Sequence, residues 1–141
     1  MGFKLNVEGS EKIDLGIDHI LSVKFEMDTP DDSNARSTDV GVVMVVRGKI
    51  LTAIDGEAAD CSLNIAKWSV VPAEQADCYR KVVVEVVNAS QVIRKFTLPN
   101  AFVVDYTENF GNQEGVGEFI LRVKQKKDKT EGVKLEGGYG M

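Results

Sequence analysis

One histidine, two cysteines and three prolines among 141 residues leave little from which to build a reaction centre. His19 is the sole candidate base. A triad built on it would need a nucleophile and an orienting carboxylate. Asp18 is adjacent in sequence, and adjacent side chains of a strand point to opposite faces. No GxSxG elbow, HExxH helix or Cys-His signature accompanies it. Cys61 and Cys78 are separated by sixteen residues with no CxxC spacing and no supporting histidines, which excludes a four-ligand zinc site. The pair reads as two reduced, buried, small apolar side chains, with one disulfide as the alternative. The acids Asp31, Asp32, Asp105 and Glu108 lack the DxDxDG spacing of a calcium loop and read as solvated. Gly111, Gly115 and Gly117 do not precede a helix, so they make no phosphate cradle. No catalytic residue, cofactor or metal is therefore expected.

Long apolar runs are missing too. No stretch reaches eighteen residues, and MGFKLNVEGSEK has no hydrophobic segment behind its charges, so neither a membrane span nor a secretory signal is expected. Asn6 stands where a myristoylation signal needs Ser or Thr. The net charge is −5, the pI is near 4.9, and no basic cluster exceeds Lys124–Lys129, so nucleic acid is not an expected partner. A cytoplasmic protein is expected. With 43% hydrophobic residues, the chain fits one globular domain over residues 1–141. A domain of this size buries roughly 68–70% of its unfolded surface.

What is present is alternation at period two. Tyr79–Asn88, Val92–Tyr106 and Gly117–Lys127 follow one another closely and read as an antiparallel set of strands. Earlier, Phe3–Val7 and Ile13–Ile17 are short strands. His19–Met27 places Leu21, Val23, Phe25 and Met27 on its buried face. Val40–Ile54 is the most hydrophobic run and is rich in β-branched residues, which predicts a central strand bent at Gly48. The one good helix candidate follows, capped by Asp60 or Ser62. Its apolar side is Cys61, Ile65 and Trp68, with Leu63, Ala66 and Val70 beside them. Pro72 ends that helix and opens a short second turn, PAEQADC. Trp68, the sole tryptophan, is predicted to anchor the helix on the sheet. Asn88–Ser90 is a turn, and Pro99-Asn100 marks a bulge or bend. The fold class is mainly β: an antiparallel barrel or sandwich with one α-helix.

Two segments stand outside this pattern. Asp28–Asp39 (DTPDDSNARSTD) has almost nothing apolar and is predicted to be a long exposed loop. It is either a surface excursion or an arm that orders against another subunit. The tail over 128–141 is predicted to be loose unless a neighbour holds it.

VGVVMVVRGKI before the helix, then YRKVVVEVV, RKFTLPNAFVVDYTENFG and GEFILRVKQKKDK after it, resemble the superfamily of Hcp, the type VI secretion tube protein, and the tube proteins of contractile phage tails. The last two stretches and AKWSVVPAEQADCYRK are similar also to small Gram-positive proteins labelled "membrane-associated protease". The resemblance spans roughly residues 40–137. It implies a structural subunit, not an enzyme, that closes into a six-membered ring and stacks into a hollow tube. Its partners would be further copies of itself, together with sheath, baseplate or spike proteins, and it would become part of a released phage-tail-like particle. The arm laid on a neighbour would be Thr29, Pro30, Asp31, Asp32, Ser33, Asn34, Ala35, Arg36, Ser37 and Thr38. The competing readings are the protease that the label names, and a binding module presenting Trp68, Tyr106 or Phe110 to a ligand.

Overall fold

The computed structural model describes residues 1–28, 41–50, 62–112 and 116–140. Its strands are β1 (Gly2–Glu8), β2 (Ile13–Leu15), β3 (Ile20–Asp28), β4 (Gly41–Ile50), β5 (Arg80–Asn88), β6 (Gln91–Asn109), β7 (Gly117–Gln125), β8 (Lys134–Glu136) and β9 (Tyr139–Gly140). The helix α1 spans Ser62–Ser69, and 3-10 turns cover Ala76–Cys78 and Lys127–Gly132. The sheet runs β2-β1-β5-β6-β7-β4-β3, antiparallel throughout, with β8 and β9 added to β6.

β6 decides the architecture. At nineteen residues it outruns both its partners. Its first half pairs with β5 on one side and with β8 and β9 on the other; from Ala101 to Asn109 it pairs with β7. The changeover falls at Pro99-Asn100, where the register with β5 shifts between Arg80 and Val82, as a bulge there would require. The sheet therefore has two leaves. One is β2-β1-β5 with the start of β6; the other is the four-stranded leaf β3-β4-β7 with the end of β6.

Between the leaves lies the core. Period-two alternation sends Leu5 and Val7 of β1, Val82 and Val84 of β5, Val42, Met44 and Val46 of β4, and Phe119, Leu121 and Val123 of β7 into it. Phe25 of β3 stacks on Phe96 of β6 with centroids 4.7 Å apart, joining the leaves. β3 and β1 come near each other without pairing. The expected mainly β, antiparallel fold with one α-helix is what the structure has, and of the two forms expected it takes the open one: hydrogen bonding does not close the sheet among the described residues, because the second leaf leaves β5 behind where β6 outruns it.

Three further expectations change. Leu21 is 40% exposed because the register slips between Ile20 and Ser22 and puts Ile20 in the core instead, and Met27, next to the last residue of β3, is 51% exposed, while Val23 and Phe25 pack on the core as expected. On α1 the buried stripe narrows to Ser62, Ile65 and Trp68, so an eight-residue helix leaves Leu63 and Val70 in solvent. The tail expected to be loose pairs with β6, and Gln125 helps fix it. Gln125 is fully buried; its carbonyl accepts from the Asn100 N–H at 3.2 Å and its amide donates to the Lys126 and Lys129 carbonyls. Asp60 and Cys61 lie outside the described residues.

The Asn88–Ser90 turn is a two-residue hairpin in which Ala89 and Ser90 have φ of 50° and 65°. Both take the left-handed values that suit the strand twist, without glycine to ease them. Gly48, opposite the slip in β3, makes room for its neighbours. A Cβ there would stand 2.5 Å from Phe119 Cζ and 2.8 Å from the His19 carbonyl oxygen. Gly48→Ala is expected to lower stability by about 1–3 kcal/mol in urea unfolding. Gly16→Ala, which meets open space, should stay within about 0.5 kcal/mol.

Candidate functional site

An edge strand shows unpaired N–H and C=O groups to solvent, a surface that folded proteins normally blunt or cover. The four-stranded leaf has two such edges. On one side β3, nine residues long, pairs with β4 and has no partner beyond it among the described residues. On the other, β5 pairing stops at Ala101 and β8 and β9 reach only Gln91 to Thr97, so, among the described residues, positions 102–109 of β6 pair with β7 alone. The exposed Leu21 and Met27 sit on the first edge. Val104, 44% exposed, is the residue left over where the β6–β7 register shifts on the second.

The polar face of the leaf carries ion pairs. Lys24 Nζ lies 3.0 Å from Glu26 Oε1, and Arg47 lies 3.5 Å from Glu118. The hydrogen bond and charge of Lys24, helped by Arg122, hold the Glu26 carboxyl below its ordinary value. Asp105 stands directly across from Arg122.

A second constellation braces the other leaf. The Arg80 side chain is 1% exposed; its Nη2 lies 2.7 Å from Asp77 Oδ2, its Nε donates to the Asp77 carbonyl at 3.1 Å, and its guanidinium sits over Trp68 at 5.4 Å. Asp77 Oδ1 accepts the Ser10 N–H at 3.2 Å, and the Trp68 indole donates to the Cys78 carbonyl at 2.9 Å. Gly9 is needed where it is, since a Cβ would lie 2.5 Å from Arg80 Cδ. The β1–β2 turn, α1 and the 3-10 turn are thereby tied to β5. Nothing in the sequence pattern announces that Arg80, at the start of a strand, is buried.

The residues singled out from the sequence do not converge. Residues 29–38 lie outside the described residues; their flanks, Asp28 and Gly41, stand opposite each other at one end of β3 and β4. Trp68 is buried in the core. Tyr106 stacks on Phe119 at 6.3 Å and its hydroxyl donates to Glu108 at 2.7 Å, while Phe110 is exposed beside Gly117. The His19 carbonyl accepts the Lys49 N–H. Cys78 is buried and free, and Cys61 is outside the described residues. Among the described residues no group of three or more His, Cys, Asp or Glu can hold a metal ion, and no helix is long and apolar enough to cross a membrane.

Neither a family model nor a curated protein matches the chain. Solved structures do. Hcp1 from Flavobacterium johnsoniae superposes with a TM-score of 0.58 at 17% identity, over 98% of this chain and 97% of that one. The chain carries the Hcp fold. A chain of the anti-feeding prophage baseplate gives 0.54 at 16% identity, over 96% and 93% of the two chains. A chain of the sheath-tube complex of an extracellular contractile injection system gives 0.50 at 12%, over 97% and 89%. The Hcp-like fold thus spans both leaves, not only the stretches whose sequence resembles the superfamily.

The Asp77 brace sets an acid limit. Bonding to Arg80 first, and then to Ser10, holds the Asp77 carboxyl at about 2 against an ordinary 3.8. A carboxyl depressed by folding adds stability above its unfolded value and loses it as pH falls toward the folded one. Melting temperature is expected to fall between about pH 4 and pH 2. Asp77→Asn should start lower at neutral pH and show a shallower fall across that window.

Proposed function

We propose that the chain, residues 1–141 acting as one unit, is a structural tube subunit of a contractile injection apparatus. It joins copies of itself into stacked rings and carries no bond-making centre. The observation behind this reading is the four-stranded leaf with open edges of similar length on opposite sides, β3 on one and residues 102–109 of β6 on the other. Strand directions alternate across the leaf, so β3 and β6 run in opposite senses. When β3 of one copy lies beside β6 of the next, both copies the same way up, the pairing is antiparallel and the alternation continues without a break. This is a heterologous contact that closes on itself as a ring and leaves no edge exposed.

The structural neighbours support the same reading. One is a component of a baseplate solved with sixfold symmetry and another belongs to a sheath-tube complex. The ring accordingly has six copies, with sheath, baseplate and spike proteins as further partners. Residues 29–38 leave the end of β3 and serve as the arm laid on a neighbouring copy. The subunit assembles in the cytoplasm and travels with the particle when that is released.

Size-exclusion chromatography with light scattering, together with negative-stain micrographs, tests this. The expected result is rings of about six chains. Leu21→Lys with Met27→Lys places charge on the open β3 edge and should yield monomers, while stability changes by no more than about 0.5 kcal/mol per site because both positions are exposed. Isolated particles of the unmodified protein at high concentration would sink the reading.

A further inference from the structure

We propose that residues 133–140 are an edge guard: they occupy a strand-accepting edge of β6 over Gln91–Thr97 and keep a second copy of the chain from adding a strand there. The inference goes beyond the tube reading and does not depend on it.

Between Gln91 and Thr97, β6 has β5 on one edge and β8 and β9 on the other. The two short strands keep one register, with Lys134 to Glu136 against Thr97 to Lys95 and Tyr139-Gly140 against Val92-Gln91, so they act as one strand interrupted at Gly137-Gly138. The interruption is fitted to the backbone it crosses. Gly138 takes φ of 77° and its N–H donates to the Val92 carbonyl at 2.9 Å, while a Cβ on Gly137 would fall on the Ile93 carbonyl oxygen. Val133, partly buried against the core, anchors the start of the segment. Burial contributes little beyond that point, since every residue of β8 and β9 is exposed. Main-chain pairing, with Lys95 across from Glu136, is what seats the guard. Segments held in this way open locally while the rest of a fold stays intact.

The edge that is covered and the edge that replaces it differ in kind. Gln91–Thr97 contains Val92, Ile93, Phe96 and Thr97, the β-branched and aromatic residue types that favour strand addition. In its place stands a three-residue strand carrying exposed Lys134 and Glu136 and followed by two glycines. Short, charged strands are how folded proteins blunt an edge. At the far side of the same leaf, β2 is also three residues long, with exposed Asp14 at its centre. The first leaf is thus blunted on both flanks, whereas β3 on the second leaf is nine residues long and shows Leu21 to solvent. The occupant kept out is a second copy, because every copy carries the same edge. Two such edges pair antiparallel about a twofold axis, each supplying what the other lacks.

The test unseats the guard in the full chain. Gly137→Val with Gly138→Val drives a side chain into the Ile93 carbonyl and opposes the left-handed turn, while Gly140→Val, which meets open space, is the control. The probe is a fluorescent peptide with the sequence of residues 133–141. By anisotropy it should bind the double variant at least about tenfold more tightly than the unmodified protein or the control, in which the site is already filled. Light scattering should show the double variant forming species larger than those of the unmodified protein, and excess peptide should remove them. Should circular dichroism show that variant unfolded, Leu135→Pro with Glu136→Pro gives the same result without crowding the β6 backbone. Successive N–H groups of a strand point to opposite sides, so one of the two lost donors faces β6. Equal binding of the peptide to all the proteins, equal binding of a scrambled peptide, or unseated variants that scatter light like the control would overturn the proposal.

Discussion

A single strand that belongs to two leaves is the constraint on which this structure turns. β6 is hydrogen-bonded to β5 and the C-terminal strands along its first half and to β7 along its second. Its path through Pro99-Asn100 therefore sets how the leaves face each other, how much core they enclose and which edges stay open. The groups at that changeover are correspondingly well held. Lys126 N–H donates to the Asn100 carbonyl at 2.8 Å, Gln125 caps the Asn100 N–H, and the 3-10 turn lies so close that a Cβ on Gly132 would stand 3.0 Å from Pro99. A fully buried glutamine is costly unless its amide is bonded, and here both ends of the amide are in use.

The open edges follow from the same geometry. Had β6 stopped where β5 stops, β7 would itself have been the open flank on that side and its apolar face would have lacked a neighbour. Extending β6 covers that face and exposes a flank. Proteins that keep such edges in solution blunt them with charge, proline or short strands. β3 carries Lys24 and Glu26, but they pair with each other on the polar face, and apolar Leu21 and Met27 remain exposed along the strand. An edge so weakly guarded suits the proposed pairing between copies.

The alternating strands were legible because each has an apolar set that only one register can bury. Val42, Met44 and Val46, then Phe119, Leu121 and Val123, all reach the core as their spacing requires. Three features escaped that reading for physical reasons. The slip between Ile20 and Ser22 puts Ile20 in the core with Val23 and Phe25 and leaves Leu21 out, and a register slip leaves no compositional mark. The C-terminal strands are short, polar and almost wholly exposed, so their order comes from pairing with β6 rather than from burial. Arg80 is buried because Asp77, Trp68 and a glycine at position 9 surround it, a coincidence of four segments that no local window contains.

The two leaves divide the work of holding the fold. The first leaf bears the brace around Arg80, the helix and the tail, so the constraints of folding concentrate there. Its own outer face is balanced: Lys4, Glu85, Lys95 and Glu136 stand opposite one another in turn across four strands, each charge beside its opposite. Cross-strand pairs of this kind steady a sheet and leave no net field. The second leaf follows the same rule, with Lys49 directly across from Glu118 and Asp105 directly across from Arg122.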